Sequence, residues 1–538
     1  MRLDLYFRPF CTPARAAALT LALFGSGMPL SAFGQPPAHP TTPPATQPVP
    51  VIPSSTAATV QGTPISIDEA VRMALENNLG VQAERLNPQI AVLGVAQARG
   101  AWAPTLFSTT TKSSATSPPT DFNTTTTTNT IQTNGNFVTQ GGVQQFTKWG
   151  SNYTLSIDGS RAITNQSNVV FNPQLGSHLN FAATQPLLRN FRIDSNRQQY
   201  LQAVNREQVT DLALQQRVVQ TSRNVRAAYY SLLGAIAGLD VAQQSLDLAR
   251  EQLKQNQTRV DVGTMAPIDI VAAQAEVASN EEAVIILQAA IETAQDQLRA
   301  LVMNPTQPGF WTTRFTPTEQ PALEQQAIDI DAAVRNALDH RTDIRQFKKQ
   351  MESTDITRRF AANQKLPAID LNGRYGLVGI GGSQLSEDRL TATQRSFTDA
   401  LRDVFGNNYR TWSLTLNVSY PIGTSPADAL YASAKLQHQQ EVTALADLET
   451  LVTLQVRDTG RQVQTNLRRV EATRKARELA EKRLEAEQKR FQVGLNSTFE
   501  LFQAQRDLAA ARNAELNATI AYNQSLVDFE AVQNAPIR

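Results

Sequence analysis

The stretches "RVDVGTMAPIDIVAAQAEV", residues 259–277, and "RFQVGLNSTFELFQAQRDL", residues 490–508, align without a gap at an offset of 231. Each interrupts a long helical pattern at Val-Gly and then restarts it. Gly263 and Gly494 stand where a helix should stop, because glycine takes the left-handed backbone of a C-terminal cap at little cost. In the second copy, Ser497 and Glu500 have the S-x-x-E spacing of a capping box. In the first, Ala266 is a poor cap, but Pro267 suits the first helical position and Asp269 adds negative charge to the first turn. Arg259 and Arg490 lie in the last turn before each break, where a cation complements the helix dipole. Different residues thus meet one requirement, a tight turn between two antiparallel helices. The turns are predicted at 263–266 and 494–497.

Working outward, no proline intervenes between the N-cap candidates Asp194 and Ser425 and these breaks, apart from Pro426 at a first helical position. The pattern predicts long helices over 195–262 and 426–493, each ~100 Å as helix, and return helices over 267–303 and 498–533. Val218, Val225, Tyr229, Leu232 and Leu233 in one, and Leu445, Leu448, Val452 and Val456 in the other, recur at spacings of three and four. Alanine fills much of the rest, which suits coiled-coil-like packing along a narrow seam.

Each long helix is preceded by a strand-like region, about 104–187 and 367–421. In "WSLTLNVSYPI" Leu414, Leu416 and Val418 alternate with polar residues, and "LNFAATQPLL" and "AIDLNGRYGLVG" read as strands as well. Phe181, Tyr375, Trp412 and Tyr420 are candidates for interfacial aromatic girdles. "TTTTT" at 124–128 and "GIGGSQ" at 379–384 read as loops. Pro104 to Pro186 spans 82 residues, whereas Pro367 to Pro421 spans 54. Part of the excess, around "TKWGSN", has the makings of an extra hairpin. Before the strands, "ISIDEAVRMALENN" and "IDIDAAVRNALDHR" match at an offset of 263, with Ser66 and Asp329 as caps. The chain is therefore an internal duplication, with repeats over 65–310 and 328–538 and a linker over 311–327.

The 538 residues carry a net charge of +1, which exerts no strong pull on nucleic acid. No run approaches the ~20 apolar residues of a spanning helix, so a membrane crossing would need strands. Residues 1–34 read as a signal peptide, with Arg2, Arg8 and Arg15 before an apolar core and small Ala32 and Gly34 at the cleavage site. Residues 35–64, rich in Pro and Thr, read as an extended linker. The single cysteine, Cys11, precedes the apolar core and is badly placed for lipidation. No catalytic, cofactor or metal site is expected. His39, His178, His340 and His438 are scattered, and no HExxH, P-loop or GxSxG is present. "DHRTD" at 339–343 reads as a solvated helix face.

The paired Val-Gly turns, the paired "DEAVRMALENN"-type openings and the strand ends "TQPLLR" and "SYPI" together resemble the TolC family of bacterial outer-membrane efflux channels, over roughly residues 65–535. The resemblance implies a mainly α fold with β. It implies a homotrimer in which each chain supplies four strands to a shared transmembrane β-barrel, above a long α-barrel of coiled-coil-like helices in the periplasm. It also implies a passive conduit in the outer membrane for efflux or type I secretion, joined through a periplasmic adaptor to an inner-membrane pump. The adaptor-contact role carries over to Val262, Gly263 and Thr264 and to Val493, Gly494 and Leu495, with Arg259 and Arg490 matching the arginine before the turn. The position of Cys11 argues against the lipid-anchored branch. A secreted coiled-coil structural protein or a periplasmic adaptor would also contain long helices. Neither explains two strand regions at matched places together with paired hairpin turns.

Overall fold

A computed structural model describes residues 62–118, 131–166, 169–320, 327–385, 392–423 and 425–533. The expectations for residues 1–61 and for the threonine run lie outside them. In chain order the first repeat comprises β1 (Thr63–Ile65), α1 (Ile67–Asn77), α2 (Leu79–Gly100), β2 (Thr105–Ser117), β3 (Gln132–Phe146), β4 (Asn152–Thr164), β5 (Phe171–Pro186), α3 (Ser195–Asp261) and α4 (Ile268–Val302). After β6 (Phe315–Pro317), the second comprises α5 (Ile330–His340), α6 (Thr342–Gln364), β7 (Ala368–Leu385), β8 (Ala392–Arg395), α7 (Phe397–Phe405), β9 (Tyr409–Ser419), α8 (Pro426–Gln492) and α9 (Thr498–Val532). Two expected linkers are partly ordered: β1 and β6 pair in parallel, joining the edges of the two predicted repeats.

The long strands form one antiparallel sheet in the order β2-β3-β4-β5-β7-β9, with short β8 pairing the tip of β7. This corrects the implied four strands per chain to six long ones. The additional pair is the β3–β4 hairpin, which turns through Thr147–Ser151, where "TKWGSN" pointed to an extra hairpin. It also corrects "GIGGSQ", which continues β7 instead of forming a loop. The glycines there are needed for close approach: a Cβ on Gly379 would meet the Ala400 carbonyl oxygen, and one on Gly381 the Ser396 oxygen. α7 lies directly on the sheet at that point.

Directly paired residues share a face, so the register sorts the sheet into two surfaces. Leu106, Val143, Leu155, Phe181, Tyr375 and Trp412 form one row across all six strands. Leu416 and Leu371, and Val418 and Ile369, pair on the same side. The opposite face carries Thr109, Gln140, Asp158 and His178 in one row and Ser156, Asn180 and Thr411 in another. His178 Nδ1 lies 2.7 Å from Asp158 Oδ2. One wall surface is apolar and the other polar, the division a membrane-spanning barrel requires.

α3 and α8 are 67 residues each, and most of their stability comes from packing against other helices and not from intrinsic propensity. Shorter helices cover both: α1, α2 and α4 pack on α3, α5 on α8, and α6 and α9 pack on α3 and α8 alike, joining the two repeats. Around α3, Val225, Tyr229 and Leu232 are buried against Ala70, Ala74, Leu298, Val302 and Phe315. Around α8, Val452, Val456 and Val463 meet Ala333, Ala337, Ile344 and Tyr522. Each fully buried large side chain contributes roughly 1.5–3 kcal/mol. No described helix is long and apolar enough to cross a membrane.

The short helices must end and begin beside the long one, which leaves terminal carbonyls and amides without partners. Asn78 serves both sides of the first junction. Its Oδ1 accepts from Gly80 and Val81 N at 3.0 and 3.2 Å, capping α2, and its Nδ2 donates to Leu301 O of α4 at 3.2 Å. The equivalent residue, 263 positions on, is Arg341. It donates to Val532 O of α9 at 3.4 Å and pairs with Asp343. Asn78→Ala should cost roughly 1–2 kcal/mol. Hydrogen exchange should show Gly80 and Val81 losing protection while the sheet amides keep theirs.

At the start of α8, Ser425 donates to Asp428 from Oγ at 2.8 Å and from N at 3.3 Å, and Lys365 Nζ lies 3.1 Å away. The Ser425 hydroxyl, and then Lys365, hold the Asp428 carboxyl below its ordinary value. A folded value lower than the unfolded one means that the cap contributes fully above the ordinary 3.8 and is lost as pH falls through the folded value. Exchange at the amides of 427–430 should therefore accelerate, beyond the intrinsic pH trend, as pH falls below about 4. Asp428→Asn should remove that extra dependence.

Candidate functional site

The predicted tip residues lie where the two long helices end, at the extremity away from the sheet. Gly263 has φ +76° and Gly494 φ +77°, the left-handed region. Gly263 N donates to Val260 O at 2.9 Å and Thr264 N to Arg259 O at 2.8 Å. Gly494 N donates to Phe491 O at 3.1 Å and Leu495 N to Arg490 O at 3.0 Å. Both ends are thus Schellman motifs with the same pair of bonds. The arginines gain a meaning beyond the dipole, since their own carbonyls receive the outer bond of each motif. Thr264 Oγ1 adds a second donor to Arg259 O at 2.9 Å.

The restarts differ, as the sequences require. Glu500 Oε2 accepts from Ser497 N at 3.2 Å, completing a capping box for α9. In the first copy Pro267 precedes α4 with φ −56°, and the amides of Asp269 and Ile270 bond to Ala266 O and Pro267 O. Proline supplies the geometry there without a side-chain cap.

The tips are exposed and apolar. Val262, Val493 and Leu495 are 68, 69 and 79% exposed, and a Cβ on either glycine would meet nothing within 4 Å. Behind them the two turns are tied together. The Arg259 guanidinium stacks over the Phe491 ring at 4.6 Å, a contact worth roughly 0.5–1 kcal/mol at an exposed site. Met265 packs against the cluster of Leu484, Phe491, Leu501 and Leu508. Arg506 Nε reaches Glu276 Oε2 at 3.5 Å, and Arg512 Nη1 reaches Gln244 Oε1 at 3.1 Å.

Sequence reasoning missed several members of this assembly. Asn256 is fully buried; it accepts from Gln252 Nε2 at 2.8 Å and reaches Asp269 O at 3.5 Å, holding α3 against the start of α4. Asn496 donates to Glu487, which Arg490 also approaches at 3.3 Å. The reach of Asn256 to Asp269 and of Asn496 to Glu487 depends on how each turn folds back, which residue type alone does not mark. Among the described residues, no group of three or more His, Cys, Asp or Glu could hold a metal ion. His340 bonds only its own helix, at Asn336 O.

A sequence-family model described as "outer membrane efflux protein" matches residues 154–302 and 333–534, well over half of the chain. The chain belongs to that family. Three solved structures of outer-membrane channels share its fold. OprN is 16% identical with a TM-score of 0.63, over 87% of this chain and 90% of that one. CmeC of Campylobacter jejuni is 15% identical at 0.61, over 87% and 85%. MtrE of Neisseria gonorrhoeae, in its open state, is 16% identical at 0.59, over 87% and 89%. No curated protein sequence matches the chain. Within this outer membrane efflux protein, the first matched segment begins inside β4, so β2, β3 and the helices before them lie outside it.

Gly263→Ala and Gly494→Ala should each cost roughly 1–2 kcal/mol of local stability. With open space around the added methyl, the cost is backbone strain alone. The amides of Thr264 and Leu495 should exchange about tenfold faster or more, and asparagine at the same positions should be milder.

Proposed function

We propose that the protein is a trimeric outer-membrane conduit, its sheet in the bilayer and its helices in the periplasm, coupled through a periplasmic adaptor to an inner-membrane pump. The observation that carries the reading is the pairing of two opposite ends in one chain. At one end stands an open sheet with one apolar and one polar face. At the other stand two matched turns that present exposed apolar side chains to solvent. Edges left unpaired, and an apolar face left open apart from the stretch beneath α7, call for lipid and for further copies of the sheet. Exposed valine and leucine on rigid turns call for a protein partner. Val262, Gly263, Thr264, Val493, Gly494 and Leu495 are the adaptor contacts, and Arg259 and Arg490 fix their geometry. The channel is passive, and the energy for export comes from the pump.

Membrane fractionation tests the location: a heat-resistant trimer should be extracted from the outer membrane, and quantitative recovery in the soluble fraction would refute the reading. The double variant Gly263→Trp/Gly494→Trp should leave trimers at normal levels while export falls at least tenfold. Undiminished export by that variant would remove the tips from the adaptor interface.

A further inference from the structure

The sheet does not end in either of the usual ways. Its outer strands, β2 and β9, each pair on one side only. They run in opposite directions, β2 away from the helices and β9 toward them. All eleven residues of β9 are exposed, and nearly all thirteen of β2. The apolar row reaches both edges, at Leu106 and Trp412. Neither edge carries an internal proline, and the only charged side chains on them are Lys112 and Arg410. Apart from these two charges, nothing blunts the edges as soluble proteins blunt theirs. In hydrocarbon, each unpaired backbone group would cost several kcal/mol.

The β3–β4 hairpin sets how wide the closed wall must be. In the second repeat β7 and β9 are neighbours above the packed α6 and α8. In the first, β2 and β5 stand three strand spacings apart, about 14 Å, above α2 and α3. Those helices nevertheless stay together: Trp102 after α2 meets Tyr200 of α3 edge-on, with centroids 5.2 Å apart. The hairpin is anchored at this junction and is not a loose flap. Gln145 Nε2 donates to Trp102 O at 2.8 Å, and Arg197 Nη1 donates to Lys148 O at 3.0 Å. One repeat therefore widens the sheet without widening the helical layer below.

We infer that β2 of one copy pairs with β9 of the next, and that three copies close into a barrel of eighteen strands in place of twelve. The inference rests on the trimeric channel reading above. Diameter grows roughly linearly with strand number, so the pore at membrane level is about half again as wide as four strands per chain would give. Its lumen is the polar face that carries Asp158, His178 and Asn180.

Cysteine pairs test the contact. With Cys11→Ser as background, cysteines at Ser108, Thr110 or Lys112 are combined with cysteines at Trp412, Leu414 or Leu416, all on the apolar face. Oxidation in outer membranes should link at least one combination into a covalent trimer, and electron microscopy of the purified trimer in nanodiscs should resolve eighteen strands. Heat-resistant trimers that show twelve strands and no cross-link at any pairing would overturn the closure while leaving the channel reading intact. A soluble monomer would overturn the channel reading, and the closure with it.

Discussion

Backbone amides and carbonyls removed from water must find partners, and this requirement shapes both ends of the molecule. In the sheet it makes strand follow strand from β2 to β9, with one register shift near Phe171, and leaves two edges whose backbone groups are unpaired within the chain. In the helical part it acts at every terminus. Two Schellman motifs close α3 and α8, and Asn78 and Arg341 consume the carbonyls where short helices abut. Apolar burial supplies most of the stabilisation, but hydrogen-bond satisfaction decides where elements stop.

The helical layer stabilises each 67-residue helix by covering it with shorter ones, of which α6 and α9 serve both. The cores sit near the middle of the long helices, around Tyr229 and Tyr522, and not at the tips. Toward the turns the packing thins to small clusters and polar pairs, such as Arg259 on Phe491 and Gln252 with Asn256. The tips are nevertheless backed by their own apolar cluster of Leu484, Phe491, Leu501 and Leu508, which holds both turns in defined shapes.

Much of this was legible in the sequence because local chemistry is repeated at fixed offsets. Glycine at a positive φ, Ser497 with Glu500, and Ser425 with Pro426 each announce a helix end by residue type alone. The alternation in "WSLTLNVS" announced β9. What was not legible depends on register and distance. The β3–β4 hairpin around "TKWGSN" could be read from the excess length of the first strand region, but its place in one sheet with the other strands rests on register. "GIGGSQ" read as a loop, since its glycines serve the approach of α7, which only the fold brings near. At the tips the turns were visible and their mutual ties were not. Arg259 and Phe491 are 232 positions apart, and nothing local marks them as neighbours.

The unequal strand content of the two repeats shows how such a chain can change calibre. An antiparallel wall accepts insertions only in pairs, because a single added strand would deliver the chain to the wrong side of the membrane, away from its helix. A hairpin is thus the smallest increment available, and one turn wedged between Trp102 and Arg197 suffices to seat it. Duplication gave this protein two independent places to make that change, and it has used one of them. The twofold likeness of the halves survives in the helices and stops at the sheet, so the width of the opening and the geometry of the tips can evolve separately.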